Sequence, residues 1–354
     1  MVHCYPHNLK INKEELKMNK KIKLAATIGL IAALLALTGC GELKPEKKSQ
    51  FMLNTNCTIT VYDKNAAKIL DDTIALGLSY DNLLSTAIEG SDIYKINHAG
   101  GKPVTVSDDT IQVIKDAIRY SEMSGGLFDV TMGKLTALWD FPGAAHMVPP
   151  ADVISADLKT VGYKYIKVEG NTVTLLKPDA HLDLGAIGKG FIADRLADYL
   201  KTQKVQGAIV NLGGNVITVG EKPEIKTWIV GIQQPFADRN ETVASVTVGE
   251  KSVVTSGIYE RSFTAADGKF YHHILDPRTG YPVENSLSAV SIISDLSVDG
   301  DGLSTTCFLL GIEEATALIE SLPNTEAIFI TKDNQIFMTS GLGKDIPYQL
   351  LTAQ

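Results

Sequence analysis

The amino-acid sequence predicts an α+β fold: one catalytic domain of mixed, largely antiparallel sheets flanked by helices. Three observations predict it. Alternating apolar runs and helical runs intermix along the chain without the regular βαβ order of a doubly wound parallel sheet. Residues 165–175 alternate on both sides of Gly170-Asn171, the pattern of a tight hairpin. No internal repeat and no Ser/Gly-rich linker divides the body of the 354-residue chain.

The amino end carries an address. Met18-Asn19-Lys20-Lys21-Ile22-Lys23 is basic, residues 24–37 are apolar, and Leu37-Thr38-Gly39-Cys40 closes the run. That order makes a secretory signal, and the run is shorter than the about 20 apolar residues of a spanning helix. Cys40 after Leu-Thr-Gly resembles a bacterial lipobox, in which that Cys is lipidated; the alternative is an ordinary signal with a chance Cys. Codons for Lys13-Glu14-Glu15 can spell a ribosome-binding site, so translation is expected to begin at Met18. The expected organisation is upstream residues and signal over 1–39, lipidated Cys and tether over 40–50, and the domain over 51–354. The domain is then anchored at the extracytoplasmic face of the membrane.

Within the domain, 51–53 and 57–62 are expected to form a strand pair. Residues 64–86 carry helical periodicity, with Ala67, Leu70, Ile74 and Leu78 near one face. Asp108 or Asp109 is expected to cap a helix through Met123, stopped by Gly125-Gly126. After the 165–175 hairpin, strands are expected at 208–211, 227–233, 243–248, 288–293, 326–331 and 335–339. Helices are expected at 187–204, 301–310 and 312–321.

Composition excludes several classes. With 44% hydrophobic and 21% charged residues, the chain is neither disordered, collagen-like nor a coiled coil. Net charge is −8, and the first 39 residues carry six Lys against two Glu, +4, which leaves −12 on the rest. So acidic a body argues against general nucleic-acid binding, which needs clustered Lys and Arg. Of the four Cys, Cys4 lies upstream of the expected start and Cys40 takes the lipid. Cys57 and Cys307 sit in apolar segments, as buried thiols or as one disulfide. No zinc spacing exists.

Three segments carry chemistry. In Asp183-Leu184-Gly185-Ala186-Ile187-Gly188-Lys189-Gly190 a strand is expected to end at Leu184 and a helix to follow the glycines. Free N–H groups at a helix start favour an anion, and Lys189 adds a charge for a phosphate. A tight turn with a solvated Lys189 is the alternative. In Asp299-Gly300-Asp301-Gly302-Leu303-Ser304-Thr305, a helix starting near Asp301 puts Asp301 and Thr305 on one face. A carboxylate and a hydroxyl suit Mg²⁺; the alternative is that Asp299 or Asp301 caps the helix. His272 and His273 precede the turn Asp276-Pro277-Arg278-Thr279-Gly280, and either supplies a general base or a structural imidazole. Lesser rims are Asn211-Leu212-Gly213-Gly214-Asn215, Thr255 to Arg261, and Gly125 to Thr131.

The order of these motifs is specific. Gly-x-Phe-Asp-x-Thr at 126–131, Asp-Leu-Gly-Ala-x-x-Lys-Gly at 183–190 and Asn-Leu-Gly-Gly-Asn at 211–215 come first. Thr-Ser-Gly-x-Tyr-Glu-Arg at 255–261, His-Ile-Leu-Asp-Pro-x-Thr-Gly at 273–280 and Asp-Gly-Leu-Ser-Thr at 301–305 follow. The series resembles the FAD:protein FMN transferases of the ApbE family, from about residue 50 to the end.

The resemblance implies an ApbE-like, T-fold-like domain that binds FAD with Mg²⁺ and attaches FMN to a Ser or Thr of an acceptor protein, releasing AMP. By motif position, it implies Mg²⁺ on Asp301, Thr305 and the Ala186 carbonyl. It implies FAD contacts at Met52, Leu127, Phe128, Asp129, Asp183, Lys189 and Leu275, and His273 with Asp301 as the catalytic pair. Where relatives often carry a flavin-stacking Tyr, this chain has Ala87. Asp299 adds a carboxylate that supports a second ion or caps the helix. The implied acceptor is an extracytoplasmic electron-transfer protein. The alternatives are an FAD pyrophosphatase giving FMN and AMP, or a non-catalytic lipid-anchored flavin-binding protein.

Overall fold

The computed structural model describes residues 43–238, 241–266 and 268–351. The expected signal, the Met18 start and Cys40 lie outside them. Pro45–Gln354 forms one compact unit.

Strands β1 (Glu46–Met52) and β2 (Thr55–Tyr62) pair antiparallel about Leu53-Asn54, both left-handed as a two-residue hairpin turn demands. The expected tether over 40–50 is therefore too long. Glu46-Lys47-Lys48-Ser49 reads as linker but forms the exposed edge of the sheet, where charged side chains discourage further pairing. Helix α1 (Ala66–Leu84) buries Ile69, Leu70 and Ile74. Of the expected face Leu70 and Ile74 are buried, Leu78 is half-buried, and Ala67 is exposed because the buried face runs through Ala66 and Ile69 instead.

Next come α2 (Asp92–Asn97), β3 (Val104–Thr105) and α3 (Asp108–Met123). Ser107, not Asp108 or Asp109, caps α3, its hydroxyl accepting from the Thr110 amide at 3.2 Å. The two Asp instead occupy the first turn, where the helix dipole favours them. Helices α4 (Gly133–Trp139) and α5 (Ala151–Leu158) were not legible as periodic runs. The predicted hairpin is β4 (Ile166–Glu169) and β5 (Thr172–Leu175), joined by β3 in a small sheet.

Helix α6 (Gly188–Thr202) leads into β6 (Gly207–Leu212), β7 (Asn215–Gly220), β8 (Trp228–Gln233), β9 (Thr242–Val248) and β10 (Ser252–Gly257). After the short hairpin β11 (Ser262–Thr264) and β12 (Phe270–His272) come β13 (Leu287–Ser294), α7 (Ser297–Leu310) and α8 (Ile312–Glu320). Strands β14 (Glu326–Thr331), β15 (Ile336–Met338) and β16 (Tyr348–Leu350) complete the described chain.

The principal sheet has the order β1-β2-β6-β7-β10-β13-β14-β15, antiparallel throughout. Along β14, Ala327 and Phe329 face the helices, while Ile328 and Ile330 face the sheet β16-β9-β8. Covered on both faces, β13 shows no inside–outside alternation: all eight of its residues are buried, Ser288, Ser291 and Ser294 among them. A third cluster, built on Trp139, Phe141, Phe263 and Tyr271, ties α4 to the β11–β12 hairpin.

Helix α7 begins at Ser297, four residues before the expected start. Neither Asp299 nor Asp301 caps it. The cap comes from α6: Asp194 accepts from the Ser297 amide at 2.7 Å and the Val298 amide at 2.9 Å. Glycines let α7 sink into the core; a Cβ on Gly300 would lie 2.4 Å from Val254, and one on Gly302 2.4 Å from Tyr120. Cys57 and Cys307 are both buried free thiols. Among the described residues no helix is long and apolar enough to cross a membrane.

Candidate active site

No strand precedes the glycine loop, contrary to expectation. An isolated bridge joins Met132 to His181 and the Asp183 amide donates to the Val130 carbonyl at 2.8 Å, with side chains adding further ties. Asn97 grips both main-chain groups of Leu182: its Nδ2 donates to the carbonyl at 2.9 Å and its Oδ1 accepts from the amide at 2.7 Å. Asp183 turns into its own loop, accepting from the Gly185 amide and the Thr136 hydroxyl, each at 2.7 Å. These bonds shape residues 183–187 before α6 starts.

At the start of α6 the hydrogen bonding is diverted. The Gly190 amide passes over the Ala186 carbonyl and donates to Asp301 Oδ2 at 2.5 Å. Among the described residues no hydrogen-bond donor reaches the Ala186 carbonyl. Gly190 is required: a Cβ there would lie 2.2 Å from the Ser297 carbonyl oxygen of α7. Asp301 is 4% exposed. Its Oδ1 accepts from Asn215 Nδ2 at 3.0 Å and lies 3.8 Å from Lys189 Nζ. Thr305, half-buried one turn further along α7, has its hydroxyl 3.5 Å from Ser256 Oγ.

A carboxylate, a hydroxyl and an uncommitted carbonyl form a hard oxygen set of the kind Mg²⁺ takes while keeping waters or phosphate oxygens. Among the described residues no group of three or more His, Cys, Asp and Glu offers an alternative metal site. Asp299 does not belong to this set. It bonds Arg119 at 2.8 Å and the Tyr120 hydroxyl, tying α3 to α7 rather than capping the helix.

His273 follows β12, half-buried, with its main-chain amide and Nδ1 both directed at the Arg261 carbonyl, at 3.1 and 3.2 Å. Burial first, then the charges of Arg261, His272 and Lys189, push its pKa down to about 3. The ring is thus neutral near pH 7. Nδ1–H donates to the carbonyl, which leaves the Nε2 lone pair as a base. His272 is structural: Nε2 meets the Val283 carbonyl at 3.2 Å and the ring packs on Phe308. Trp139 Nε1 steadies the following turn by donating to the Gly280 carbonyl at 2.8 Å.

The other expected flavin contacts divide. Met52 packs its thioether on Gly77, Phe128 packs on Tyr120, and Leu275 joins the aromatic cluster, so these three side chains are packing groups. Leu127 is half-buried, while Ala87 is exposed beyond α1, its amide on Ser85 Oγ at 3.1 Å. Asp129 accepts from Thr131 N at 2.8 Å, Thr131 Oγ1 at 2.6 Å and Tyr163 N at 2.7 Å. It lines a cleft of about 300 Å³ with Gly126, Tyr163, Tyr165 and Arg278. Sequence reasoning did not single out Asn97, Thr136 or Asp194. Each acts through a distant partner and carries no local signature. Asn215 stood in a recognised motif, but nothing there showed its partner.

Comparison with known proteins adds the following. The ApbE family model matches residues 53–329. An FAD:protein FMN transferase of Klebsiella pneumoniae is 43% identical, covering 74% of this chain and 81% of its own. One of Treponema pallidum is 32% identical, covering 89% and 93%. Among solved structures, the ApbE protein of Thermotoga maritima has a TM-score of 0.77 at 29% identity, over 84% of this chain and 97% of that one. The flavin transferase ApbE of Vibrio cholerae has a TM-score of 0.75 at 28% identity, with the same coverage.

Proposed function

This chain belongs to the ApbE family and is a flavin transferase, and from that premise we propose that it moves FMN from FAD to a Ser or Thr hydroxyl of an acceptor protein with Mg²⁺, releasing AMP. The observation that carries this reading is the meeting of Asp301 with the Ala186–Gly190 loop, Lys189 beside it. Phosphoryl transfer asks chiefly for position and charge neutralisation. When bound by Asp301, Thr305 and the Ala186 carbonyl, Mg²⁺ supplies neutralisation of the diphosphate. Lys189 adds a second positive charge, and the amino end of α6 adds oriented N–H groups.

His273 Nε2 takes the proton of the acceptor hydroxyl. The hydroxyl oxygen bonds to the phosphorus of the FMN half as the bond to the bridging oxygen breaks, and AMP departs with that oxygen. A base in this role is worth about 10²–10⁴-fold in rate. What supports the assignment is the tautomer: Nδ1 is committed to the Arg261 carbonyl, so the lone pair lies on Nε2.

For location, we propose a lipid anchor at Cys40 on the extracytoplasmic face, with an electron-transfer protein of that compartment as acceptor. Because β1 begins at Glu46, only 41–45 separate the anchor from the sheet, a reach of at most about 18 Å. The test is incubation with FAD, Mg²⁺ and a Ser/Thr-containing acceptor, followed by intact mass. An FMN-sized gain on the acceptor supports transfer. Free FMN and AMP with an unmodified acceptor replace it by hydrolysis, and no AMP at all leaves simple flavin binding.

A further inference from the structure

We infer that Asn215 is a positioning residue for Asp301, holding the carboxylate in the orientation that leaves it open to a divalent cation. The inference rests on the metal reading above. Asn215 opens β7 directly after Gly213-Gly214, both at positive φ (66° and 99°), and is 2% exposed. Its amide is oriented from one side. The Ser297 hydroxyl donates to Oδ1 at 2.7 Å, which turns Nδ2 toward Asp301 Oδ1 at 3.0 Å.

The two oxygens of Asp301 are thus held by donors from two different elements, Gly190 N from α6 and Asn215 Nδ2 from β7. Each oxygen keeps a lone pair. The competitor is Lys189, whose Nζ stands 3.8 Å from the same Oδ1. Without the Asn215 donor, Oδ1 is free to close on that ammonium as a direct ion pair, which spends the lone pair the cation needs. A neutral donor suits this place. It fixes the carboxylate without adding a positive charge beside the cation, and groups that orient a metal ligand typically matter about 10–100-fold in metal affinity.

The experiment measures Mn²⁺ binding to the FAD-loaded protein by the loss of the free-ion EPR signal, for wild type, Asn215→Ala, Ser297→Ala and Asp301→Ala. Melting in EDTA is recorded alongside. Asn215→Ala is expected to weaken Mn²⁺ binding about 10–100-fold at temperatures where it is fully folded. Ser297→Ala, which keeps the amide but releases its orientation, should weaken it less. In the transfer assay, half-saturating Mg²⁺ should rise in Asn215→Ala while kcat recovers at saturating Mg²⁺, a split that lost packing does not produce. Should Asn215→Ala not fold, weaker binding in a folded Ser297→Ala carries the inference, and unchanged binding there sinks it. If wild type binds Mn²⁺, Asp301→Ala does not, and both other variants bind as wild type, the Asn215 inference alone falls. If wild type with FAD takes up no Mn²⁺, the metal reading falls first and takes this one with it.

Discussion

The Gly190 amide of α6 donates to the Asp301 carboxylate of α7 at 2.5 Å, and one turn further along α6 Asp194 reverses the exchange by accepting from the Ser297 amide at 2.7 Å. Each helix thus gives a carboxylate to the other's main chain. The clasp joins the loop before α6 to the second turn of α7, the two places that supply the metal donors we propose. A helix start whose N–H groups are satisfied from a neighbour needs no cap of its own.

Asp301 is expected to matter more than Thr305, because a buried charge is lost rather than a neutral hydroxyl. Asp301→Ala should bring flavin attachment to background, with Thr305→Ala retaining a measurable fraction, both read as FMN mass on the acceptor. Removing Asp301 also orphans the Gly190 and Asn215 donors, at a cost of about 1–3 kcal/mol. Denaturant melts should register that cost. Full transfer by Asp301→Ala with Mg²⁺ present would rule out the assignment.

His273→Ala should slow transfer about 10²–10⁴-fold with FAD binding retained. Because the folded pKa is pushed down to about 3, and that of His272 to about 4, both by burial first, neither ring titrates in the native protein between pH 5 and 8. The stability consequence has a definite sign. Unfolded imidazole takes a proton near pH 6.5 and the folded rings do not, so their contribution is complete above pH 6.5. It is lost as pH falls toward 4 and then 3. Melting temperature should decline on acidification below pH 6.5, and less steeply in His272→Leu. An identical decline in that variant would remove His272 from the account.

Gly190→Ala should destabilise by about 1–3 kcal/mol, since its Cβ meets main chain rather than a movable side chain. It should also depress transfer by parting α6 from α7. Gly188→Ala is the control: its Cβ finds nothing nearer than Leu184 Cβ at 3.7 Å, so stability should barely change. Equal melting temperatures for the two variants would show that the helices tolerate separation.

Asp194→Ala leaves the Ser297 and Val298 amides without their partner, and should cost about 0.5–2 kcal/mol, as loss of a helix cap does. Burial raises the Asp194 carboxyl to about 7 despite those bonds. A raised acid pKa makes the native state the better proton binder. Its stabilisation is complete below the unfolded value near 4 and is lost as pH rises through about 7. Asp194→Asn should therefore show a flatter stability profile between pH 4 and 7 than the wild type. Matching slopes would mean that Asp194 is ionised throughout.

Much of the fold could be read along the chain because it rests on local pattern. Gly170-Asn171 between alternating runs specified the β4–β5 hairpin, and apolar-rich segments marked β13 and β14 within a residue or so of their ends. The ordered motifs likewise picked out Asp301, Lys189 and His273, since side-chain chemistry is written in residue type. What only the tertiary structure decided depends on partners far apart in sequence. Glu46 to Ser49 became strand because β2 offered them hydrogen bonds, although nothing in their polarity asked for it. Asp299 ties α3 to α7 because Arg119 and Tyr120, some 180 residues away, claim its carboxylate. The α7 start, the uncommitted Ala186 carbonyl and the Asn215 clamp on Asp301 share that cause. A hydrogen bond takes whichever donor or acceptor folding brings within 3 Å, and separation along the chain says nothing about which one that will be.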